Sequence, residues 1–322
     1  MIGLPIGAIG FGTDPIEPQI GGMTNENSQV WFITGSSRGL GHALVEDLLG
    51  AGQRVVASAR QPSDLDELAA RYGDRLKPVA LDVTSPEQAA QAVKVALEAF
   101  GRIDVLVNNA GYAHTDSAED LPLEEFRRQI ETNFYGVVYV TRAVLPVMRA
   151  QRSGRILQVS SIGGRRGGTP GLSAYQAAKF AVAGFSEALI NEVAPLGIQV
   201  TIVEPGGFAT DWAGSSMKIY PTQADYEATV GATNRRLRGN SDAARGVPAK
   251  AAKVLRQLAA MERQPRRLLL GSDAYLLAKL TLQELAASDE AQRALSVSTD
   301  ADGLPDFADT EVGKQMVQLH RR

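Results

Sequence analysis

The chain of 322 residues has no cysteine and only three histidines. Zinc sites and reactive thiols need clusters of these two residue types at short spacings, so the sequence predicts no metal site and no thiol chemistry. A chain without cysteine also suits a reducing compartment, and we expect a cytoplasmic protein.

An excess of positive charge and long apolar runs are missing as well. The 33 lysines and arginines are balanced by 36 aspartates and glutamates, so no global positive field attracts nucleic acid or an anionic membrane surface. No stretch without a charged residue reaches the roughly 18 residues that a membrane-spanning helix needs. The sequence therefore predicts a soluble protein that has neither nucleic acid nor a membrane as a partner.

The remaining composition, with 44% hydrophobic and 21% charged residues, is typical of a folded globular chain. Residues 1–28 are expected to form a flexible lead-in, because their apolar start contains Pro5, Pro15 and Pro18 and lacks the basic residues of a signal peptide. Met23 offers a second start, so this segment is interpreted either as an upstream extension or as a functional arm.

From Gln29 onward, short β-branched runs alternate with amphipathic stretches of helical length, which is the pattern of repeated βαβ units. The expected strands are Val30 to Thr34, Arg54 to Ser58, Leu76 to Asp82, Val105 to Asn108, Arg155 to Ser160, Gln199 to Glu204 and Arg267 to Gly271. The expected helices are Gly39 to Leu49, Asp64 to Tyr72, Pro86 to Phe100, Leu123 to Arg149, Ser173 to Leu196 and Ala249 to Met261. Together they predict a single α/β domain over residues 29–272, a Rossmann-type, doubly wound, mostly parallel seven-stranded sheet with helices on both faces.

Two segments depart from this alternation. Residues 207–247 are too long for an ordinary connection, and a long insertion at the carboxyl edge of such a sheet is usually a substrate lid. Residues 273–322 follow the last strand and are expected to form one helix, Ala274 to Ala287, and then a polar tail that frays or caps a neighbour.

A glycine-rich turn, Thr34-Gly35-Ser36-Ser37-Arg38-Gly39-Leu40-Gly41, connects the first strand to the first helix. Glycines lack a Cβ atom, so the backbone can turn sharply and approach a pyrophosphate, whose charge is favoured at a helix N-terminus. A tight turn without a ligand is the alternative interpretation. The order of strand, glycine turn and helix favours a phosphate site.

The G-x-x-x-G-x-G spacing of this turn resembles that of the single-domain branch of the short-chain dehydrogenase/reductase family. Further motifs carry the resemblance in the family's order: Asp82-Val83, Asn108-Asn109-Ala110-Gly111, Asn133, Ser161, Tyr175-x-x-x-Lys179 and Glu204-Pro205-Gly206-Gly207. The match covers Val30 to Thr210, and the end of the chain resembles the 17β-hydroxysteroid dehydrogenase-like subgroup. An epimerase or dehydratase of the longer branch is disfavoured, since Thr34 to Gly41 does not fit its T-G-x-x-G-x-x-G spacing.

The resemblance implies a nicotinamide cofactor, and residues near the second strand indicate which one. Dinucleotide folds that take NAD(H) carry an acidic residue at the end of that strand. Here Ala59 and Arg60 occupy this place, and Arg60 together with Arg38 could flank a 2′-phosphate with guanidinium groups. The sequence thus favours NADPH/NADP+ over NADH, the alternative being that both arginines are solvated surface charges.

Other cofactor contacts follow from the resemblance alone. Asp82 is expected to accept a hydrogen bond from the adenine amino group. The turn after Glu204 is expected to hold the carboxamide of the nicotinamide. The cofactor-binding residues so implied are Gly35, Ser37, Arg38, Gly39, Leu40, Gly41, Arg60, Asp82, Val83, Asn109, Ala110, Gly111, Tyr175, Lys179, Pro205, Gly206, Phe208 and Thr210.

Tyr175 and Lys179 are four residues apart and therefore share one helix face. A free phenol has a pKa of about 10, and a nearby ammonium and the nicotinamide charge are expected to lower it. The resemblance completes a catalytic set with Asn133, which would hold a water, and Ser161, which would bind the substrate oxygen. The separation of Ser161 from Tyr175 is one residue longer than usual for the family, which leaves Ser160 as an alternative.

The reaction so implied is hydride transfer to a ketone or aldehyde while Tyr175 protonates the oxygen, and its reversal oxidises a secondary alcohol. Phe208, Trp212, Met217, Ile219 and Tyr220 predict an apolar lid for a hydrophobic or ring-containing substrate. Contacts to that substrate are expected from Gly163, Tyr112, Phe208 and Trp212. In the alternative, an anionic substrate is bound by Arg165, Arg166, Arg235, Arg236 and Arg238.

A different class of protein is a non-catalytic, NADPH-sensing regulator built on the same fold. Such a sensor would be free to lose Tyr175 or Lys179, and this chain retains both. The helices that hold Asn133 and Tyr175 are long enough to pair across a two-fold axis, as they do in the family, so we expect a homodimer or homotetramer.

Overall fold

The structure, a computed structural model, describes residues 28–208, 217–239 and 245–320. The chain divides into two compact units, Met1–Tyr275 and Leu276–Arg322. No helix in the described ranges is long and apolar enough to cross a membrane.

The first unit is built on a parallel sheet. Its strands within the described residues are β1 Val30–Thr34, β2 Arg54–Ala59, β3 Leu76–Ala80, β4 Val105–Asn108, β6 Gly154–Val159, β7 Ile198–Pro205 and β9 Arg267–Leu270. They lie in the order β3-β2-β1-β4-β6-β7-β9, and every neighbouring pair is parallel. This confirms the predicted Rossmann-type, doubly wound sheet.

Helices cover both faces of this sheet. Those that pack on it are α1 Gly39–Gly50, α2 Asp66–Tyr72, α3 Pro86–Phe100, α5 Gly136–Gln151, α6 Ser173–Val193 and α8 Pro248–Ala260. The described part of this unit also contains α4 Leu123–Ile130 and α7 Ala232–Gly239. The chemistry of helix ends is clearest on α3: the Ser85 hydroxyl accepts a hydrogen bond from the Gln88 N–H, Pro86 begins the helix, and Gly101 ends it in a left-handed conformation.

Two cores result, because alternate side chains of a strand point to opposite faces of the sheet. On β1, Trp31 and Ile33 pack in one core with α1 and α8, whereas Phe32 packs in the other with α3, α5 and α6. All three side chains are fully buried. Since both faces of the strands are covered, the strands are continuous apolar runs, which explains why they are easily recognised in the sequence.

The candidate site lies where the strand order reverses. β1 pairs with β2 on one side and with β4 on the other. The connections that leave the carboxyl ends of β1 and β4 run to opposite faces, and a crevice opens between them. The glycine turn follows β1, and the Asn109-Ala110-Gly111 segment follows β4.

The structure differs from the sequence prediction in two places near this crevice. The single helix expected over Leu123 to Arg149 is divided by a π-helical turn, Glu131–Tyr135, between α4 and α5. A second, two-stranded sheet joins β5, Ala113–Thr115, to β8, Met217–Ile219. Strands of three residues are too short to show an alternating pattern, which explains why the sequence did not reveal them.

The second unit begins within α9, Ser272–Ala291, and contains α10, Arg293–Val297, and α11, Glu311–His320. The sequence predicted a polar tail here, and the two additional helices correct that prediction. Local hydrogen bonds favour the second of them, α11: the Thr310 hydroxyl accepts the Gly313 N–H at its start (3.0 Å), and Asp306 accepts the Ala308 N–H (3.0 Å) in the preceding turn.

Candidate active site

The glycine turn is shaped so tightly that side chains would not fit in it. Gly35 and Gly39 have φ of +69° and +59°, a left-handed conformation that favours glycine. A β-carbon on Gly41 would overlap the carbonyl oxygen of Gly35 and stand 2.6 Å from Nδ2 of Asn109. No acidic side chain lies in the first turn of α1. The cradle therefore fits a pyrophosphate at the positive end of the helix.

Asn109 and Thr34 fasten this turn to the end of β4. The Thr34 hydroxyl accepts the backbone N–H groups of Asn109 (3.0 Å) and Ala110 (3.1 Å). In return, Nδ2 of Asn109 donates to the carbonyl oxygens of Thr34 (3.1 Å) and Gly35 (3.0 Å). These hydrogen bonds hold the carboxyl ends of β1 and β4 at a fixed distance from each other, one on each side of the crevice.

The residues predicted for the adenine end lie on neighbouring loops. Ala59 is buried at the end of β2, and Arg60 follows it in an exposed position. The Asp82 carboxylate accepts hydrogen bonds from the backbone N–H (3.0 Å) and the hydroxyl (2.7 Å) of Thr84. Val83 packs beneath Gly136, and a β-carbon added to Gly136 would stand 2.7 Å from Cγ2 of Val83. This end of the crevice has no acidic residue at the β2 terminus.

Ser161 and Tyr175 are joined by a hydrogen bond between their side chains. Both lie beside Gly163, where a β-carbon would stand 3.4 Å from Oγ of Ser161 and 3.6 Å from Cε1 of Tyr175. Ser160 points elsewhere and donates to the carbonyl oxygen of Lys179 (3.1 Å). Of the two serines that the sequence left open, Ser161 is the one that contacts Tyr175.

Lys179 and Asn133 approach the same place from other elements. Nζ of Lys179 donates to the carbonyl oxygen of Val159 (2.8 Å) and lies 5.8 Å from the centre of the Tyr175 ring. A β-carbon on Gly111 would stand 2.9 Å from Oδ1 of Asn133 and 3.7 Å from Nζ of Lys179. The structure therefore brings the four predicted catalytic residues together around two glycines.

The π-helical turn presents Asn133, which is completely buried. Its Oδ1 accepts the backbone N–H of Tyr112 (3.0 Å), and its Nδ2 donates to the backbone carbonyl of the same residue (2.7 Å). This double contact fixes both the Asn133 side chain and the segment between β4 and β5. π-helical turns occur frequently at functional sites.

Burial determines the protonation of the central pair. It raises the pKa of Tyr175 to about 12, and the hydrogen bond from Ser161 opposes this rise. Burial also lowers the pKa of Lys179 to about 8. The direction for Tyr175 is opposite to the one predicted for a phenol beside an ammonium and the nicotinamide charge, because removal from water outweighs the hydrogen bond from Ser161. Tyr175 is therefore a protonated acid at neutral pH.

The turn after β7 is held by a residue that sequence reasoning missed. The Gly206 N–H donates to the carbonyl of Leu270 (2.9 Å), and the Gly207 N–H donates to Oδ2 of Asp273 (2.7 Å). A β-carbon on Gly206 would overlap the Asp273 carboxylate. No motif marks Asp273, since it belongs to a different segment of the chain. Phe208 follows this turn and packs against the core on the α1 face.

An apolar wall lies beside Tyr175. Its ring packs in one cluster with buried Ala113, Leu172 and Met217, and Ile219 and Leu237 pack against this cluster. The sequence predicted Met217 and Ile219 as lid residues but gave no signal for Leu172 or Leu237. Two other predicted residues, Thr210 and Trp212, lie outside the described residues.

Aromatic side chains lie on the opposite face of the β5–β8 pair, because neighbouring strand residues alternate between faces and Ala113 and Met217 face Tyr175. The rings of Tyr112 and His114 are 4.9 Å apart, and those of His114 and Tyr220 are 5.8 Å apart. The Tyr220 N–H donates to the carbonyl of Thr115 (3.2 Å) and extends the β5–β8 pairing. His114 is buried with Nδ1 3.4 Å from the Glu125 carboxylate, and burial lowers its pKa.

Two of the arginines near the site contact carboxylates of the protein. Arg165 forms an ion pair with the fully buried Glu204 (2.6 Å), and Arg235 pairs with Glu227. These pairs weaken the alternative of an anionic substrate, because two of its five proposed arginines are already neutralised. Within the described ranges no group of three or more histidine, aspartate or glutamate residues could hold a metal ion.

A doubly wound sheet with a glycine cradle at its switch point defines the class of dinucleotide-binding oxidoreductase folds. The family model described as short chain dehydrogenase matches residues 29–219. An oxidoreductase of Botryotinia fuckeliana, BOA17, is 51% identical over 273 residues, which cover 84% of this chain and 99% of the relative. The chain belongs to the short-chain dehydrogenase/reductase family and is an oxidoreductase of that family.

Solved structures agree with this assignment. A short-chain dehydrogenase from Streptomyces avermitilis superimposes with a TM-score of 0.80 at 38% identity, over 85% of this chain and 100% of the other. A 3-ketoacyl-(acyl-carrier-protein) reductase from Brucella melitensis, complexed with NADH, has a TM-score of 0.63 at 28% identity, over 75% of this chain and 96% of the other.

Proposed function

We propose that the protein is an NADP(H)-dependent oxidoreductase that reduces a hydrophobic or ring-containing ketone or aldehyde to an alcohol, and catalyses the reverse oxidation. The observation that carries this proposal is the hydrogen bond between Ser161 and the buried Tyr175 phenol, with Nζ of Lys179 5.8 Å from the Tyr175 ring. A phenol, a hydroxyl donor and a buried ammonium in one cluster suit the transfer of a proton to a carbonyl oxygen.

The residues that would hold the cofactor fit a dinucleotide, since the tight turn at Gly35 and Gly39 leads into the N-terminus of α1, which has no acidic residue in its first turn and favours an anion. The chemistry that a bound nicotinamide supplies is a hydride for the carbonyl carbon. Lys179 and the Gly206 turn would hold its nicotinamide end, and Arg38 and Arg60 its adenosine phosphate. One comparison structure holds NADH, so the preference for NADPH depends on the absent β2 carboxylate and on these two arginines.

Tyr175 acts in the reductive direction by donating its O–H to the substrate oxygen. The phenol is protonated at neutral pH because burial raises its pKa to about 12. Ser161 orients the substrate oxygen toward Tyr175, and the Lys179 ammonium stabilises the phenolate that remains after proton transfer. Asn133, fixed by two hydrogen bonds to Tyr112, keeps the Lys179 side of the site in place.

The substrate class follows from the wall beside Tyr175. Ala113, Leu172 and Met217 are buried and apolar around the ring, so a substrate that replaces water there gains from apolar contact, at roughly 25 cal/mol per Å² buried.

A panel of hydrophobic ketones and aldehydes tests this proposal by consumption of NADPH. We expect turnover with cyclic and aromatic ketones and little with small polar carbonyls. NADPH binding without turnover on any carbonyl would contradict the proposal and favour the regulatory sensor.

The pH dependence of reduction is expected to follow Lys179. Burial lowers the pKa of this residue to about 8, so its ammonium is present at neutral pH and is lost as the pH rises through that value. The rate constant kcat/KM for reduction should therefore be level near neutrality and fall above about pH 8. A pH profile of NADPH-dependent reduction measures this. A kcat/KM for reduction that rises across the same range would contradict the role given to Lys179.

Substitution of Arg60 by alanine is expected to lower kcat/KM with NADPH by about 10- to 100-fold and to leave kcat/KM with NADH nearly unchanged, because a hydrogen bond to a charged group contributes about 1.5–3 kcal/mol. Arg38→Ala should act in the same direction. Kinetics with both cofactors measure the effect. Arg71→Ala is the control, since Arg71 lies on α2 and pairs with Glu67 (2.8 Å). Equal losses with both cofactors, or a wild-type preference for NADH, would refute the assignment.

A further inference from the structure

Glu204 is a completely buried carboxylate at the end of β7, directly before the Pro205-Gly206 turn. Its Oε2 accepts a hydrogen bond from Nη2 of Arg165 (2.6 Å), and its Oε1 accepts one from Nε of the same side chain (3.2 Å). The two parallel contacts form the fork-to-fork geometry that only arginine provides. A buried carboxylate is unfavourable unless it is paired in this way.

Arg165 is part of the turn that begins at Ser161. The Gly164 N–H donates to the Ser161 carbonyl (2.9 Å), and the Arg165 N–H donates to the Ile162 carbonyl (3.1 Å). The 3₁₀ turn Ile162–Gly164 is thereby short and closed. Movement of the Arg165 backbone is therefore transmitted to Ser161 over a few bonds.

A second arginine pairs with Glu204 from a different direction. Nη1 of Arg267, on β9, lies 2.6 Å from Oε1 of Glu204, and its Nε lies 2.7 Å from Glu187 on α6. β9 carries none of the predicted catalytic residues. Among the described residues, Glu204 therefore has two cationic partners, of which only Arg165 belongs to the loop that carries Ser161.

We propose that Arg165 is a positioning residue: by its forked pair with Glu204 it holds the Ser161 turn against the end of β7, so that the Ser161 hydroxyl stays in contact with Tyr175. This inference rests on the proposed carbonyl reduction. It assigns to Arg165 a role different from binding of an anionic substrate, because its guanidinium contacts Glu204. The pair also joins the Ser161 turn to the Gly206 turn, which brings the two sides of the reacting centre into one rigid arrangement.

The test compares Arg165→Met with Arg267→Met, since each removes one guanidinium from the same carboxylate and leaves the other. For Arg165→Met we expect kcat to fall by about 10- to 100-fold, as for a misplaced catalytic group, with the Kd for NADPH unchanged. Arg165→Lys should recover part of kcat, since it restores the charge without the fork. Arg267→Met should lower Tm and leave kcat close to the wild-type value. Equal effects of the two methionine variants on kcat, or a wild-type kcat in Arg165→Met, would overturn the inference.

Amide hydrogen exchange makes the test independent of turnover. Exchange in the peptide that spans Ser161 to Arg165 should be faster in Arg165→Met than in Arg267→Met, because only the first variant releases this turn. If the wild-type protein reduces no carbonyl, the proposed function fails, and this exchange difference still decides whether Arg165 holds the turn. Equal exchange rates in the two variants would refute the role of Arg165.

Discussion

Tyr175→Phe is expected to lower kcat for carbonyl reduction by about 10²- to 10⁴-fold, the range that general acid catalysis contributes, and to leave the Kd for NADPH nearly unchanged. Phenylalanine keeps the ring among Ala113, Leu172 and Met217, so the apolar wall and the fold persist. It removes only the O–H group that is proposed to donate the proton, together with its hydrogen bond with Ser161. Steady-state kinetics together with a cofactor titration separate the two effects.

Tyr72→Phe is the matched control for this substitution. Tyr72 ends α2 and packs against the core on the α1 face, and it contacts none of the four proposed catalytic residues in the described structure. Its variant should keep wild-type kcat. Near-normal turnover by Tyr175→Phe would mean that another group supplies the proton.

Gly41→Ala is expected to abolish measurable binding of NADPH and to lower Tm. The added β-carbon would overlap the carbonyl oxygen of Gly35 and approach Nδ2 of Asn109 to 2.6 Å. Neither atom can withdraw easily, since Asn109 is fixed by hydrogen bonds to Thr34 and Gly35. Overpacking of this kind costs about 1–3 kcal/mol of stability. Fluorescence titration with NADPH and thermal unfolding measure the two consequences.

Gly50→Ala, at the other end of α1, is the control for this change. A β-carbon there meets nothing within 4 Å, and alanine is favoured over glycine in a helix by about 0.5–1 kcal/mol. This variant should bind NADPH normally and be at least as stable as the wild-type protein. Normal binding by Gly41→Ala would show that the cradle is not where the cofactor's phosphates lie.

The fold could be predicted from the sequence because its strands are covered on both faces. Each strand is therefore a compact apolar run, such as Val30–Thr34, and the helices between them are longer and amphipathic. The same reasoning failed at Asn133, where one continuous helix was expected. The π-helical turn there contains neither proline nor an internal glycine, so no residue type in the sequence indicates it. Asn133 was identified only through the order of motifs.

The parts of the site that could not be predicted depend on partners distant in the chain. Arg165 and Glu204 are 39 residues apart, and Gly207 and Asp273 are 66 apart; charge alone does not indicate such pairs. The pKa of Tyr175 was predicted in the wrong direction, because burial cannot be read from the spacing of Tyr175 and Lys179. Leu172 belongs to the apolar wall for a similar reason, since only tertiary packing brings it beside Tyr175.

Hydride transfer to a carbonyl carbon is the central claim, and isotope transfer tests it most directly. NADPH that carries deuterium at C4 of the nicotinamide, on either face in separate reactions, is incubated with the protein and a cyclic ketone that it consumes, and the alcohol is analysed by mass spectrometry. We expect one deuterium atom at the carbinol carbon from one of the two labelled cofactors and none from the other. An alcohol without deuterium from either cofactor, or no alcohol from any ketone while NADPH binds, would contradict the account.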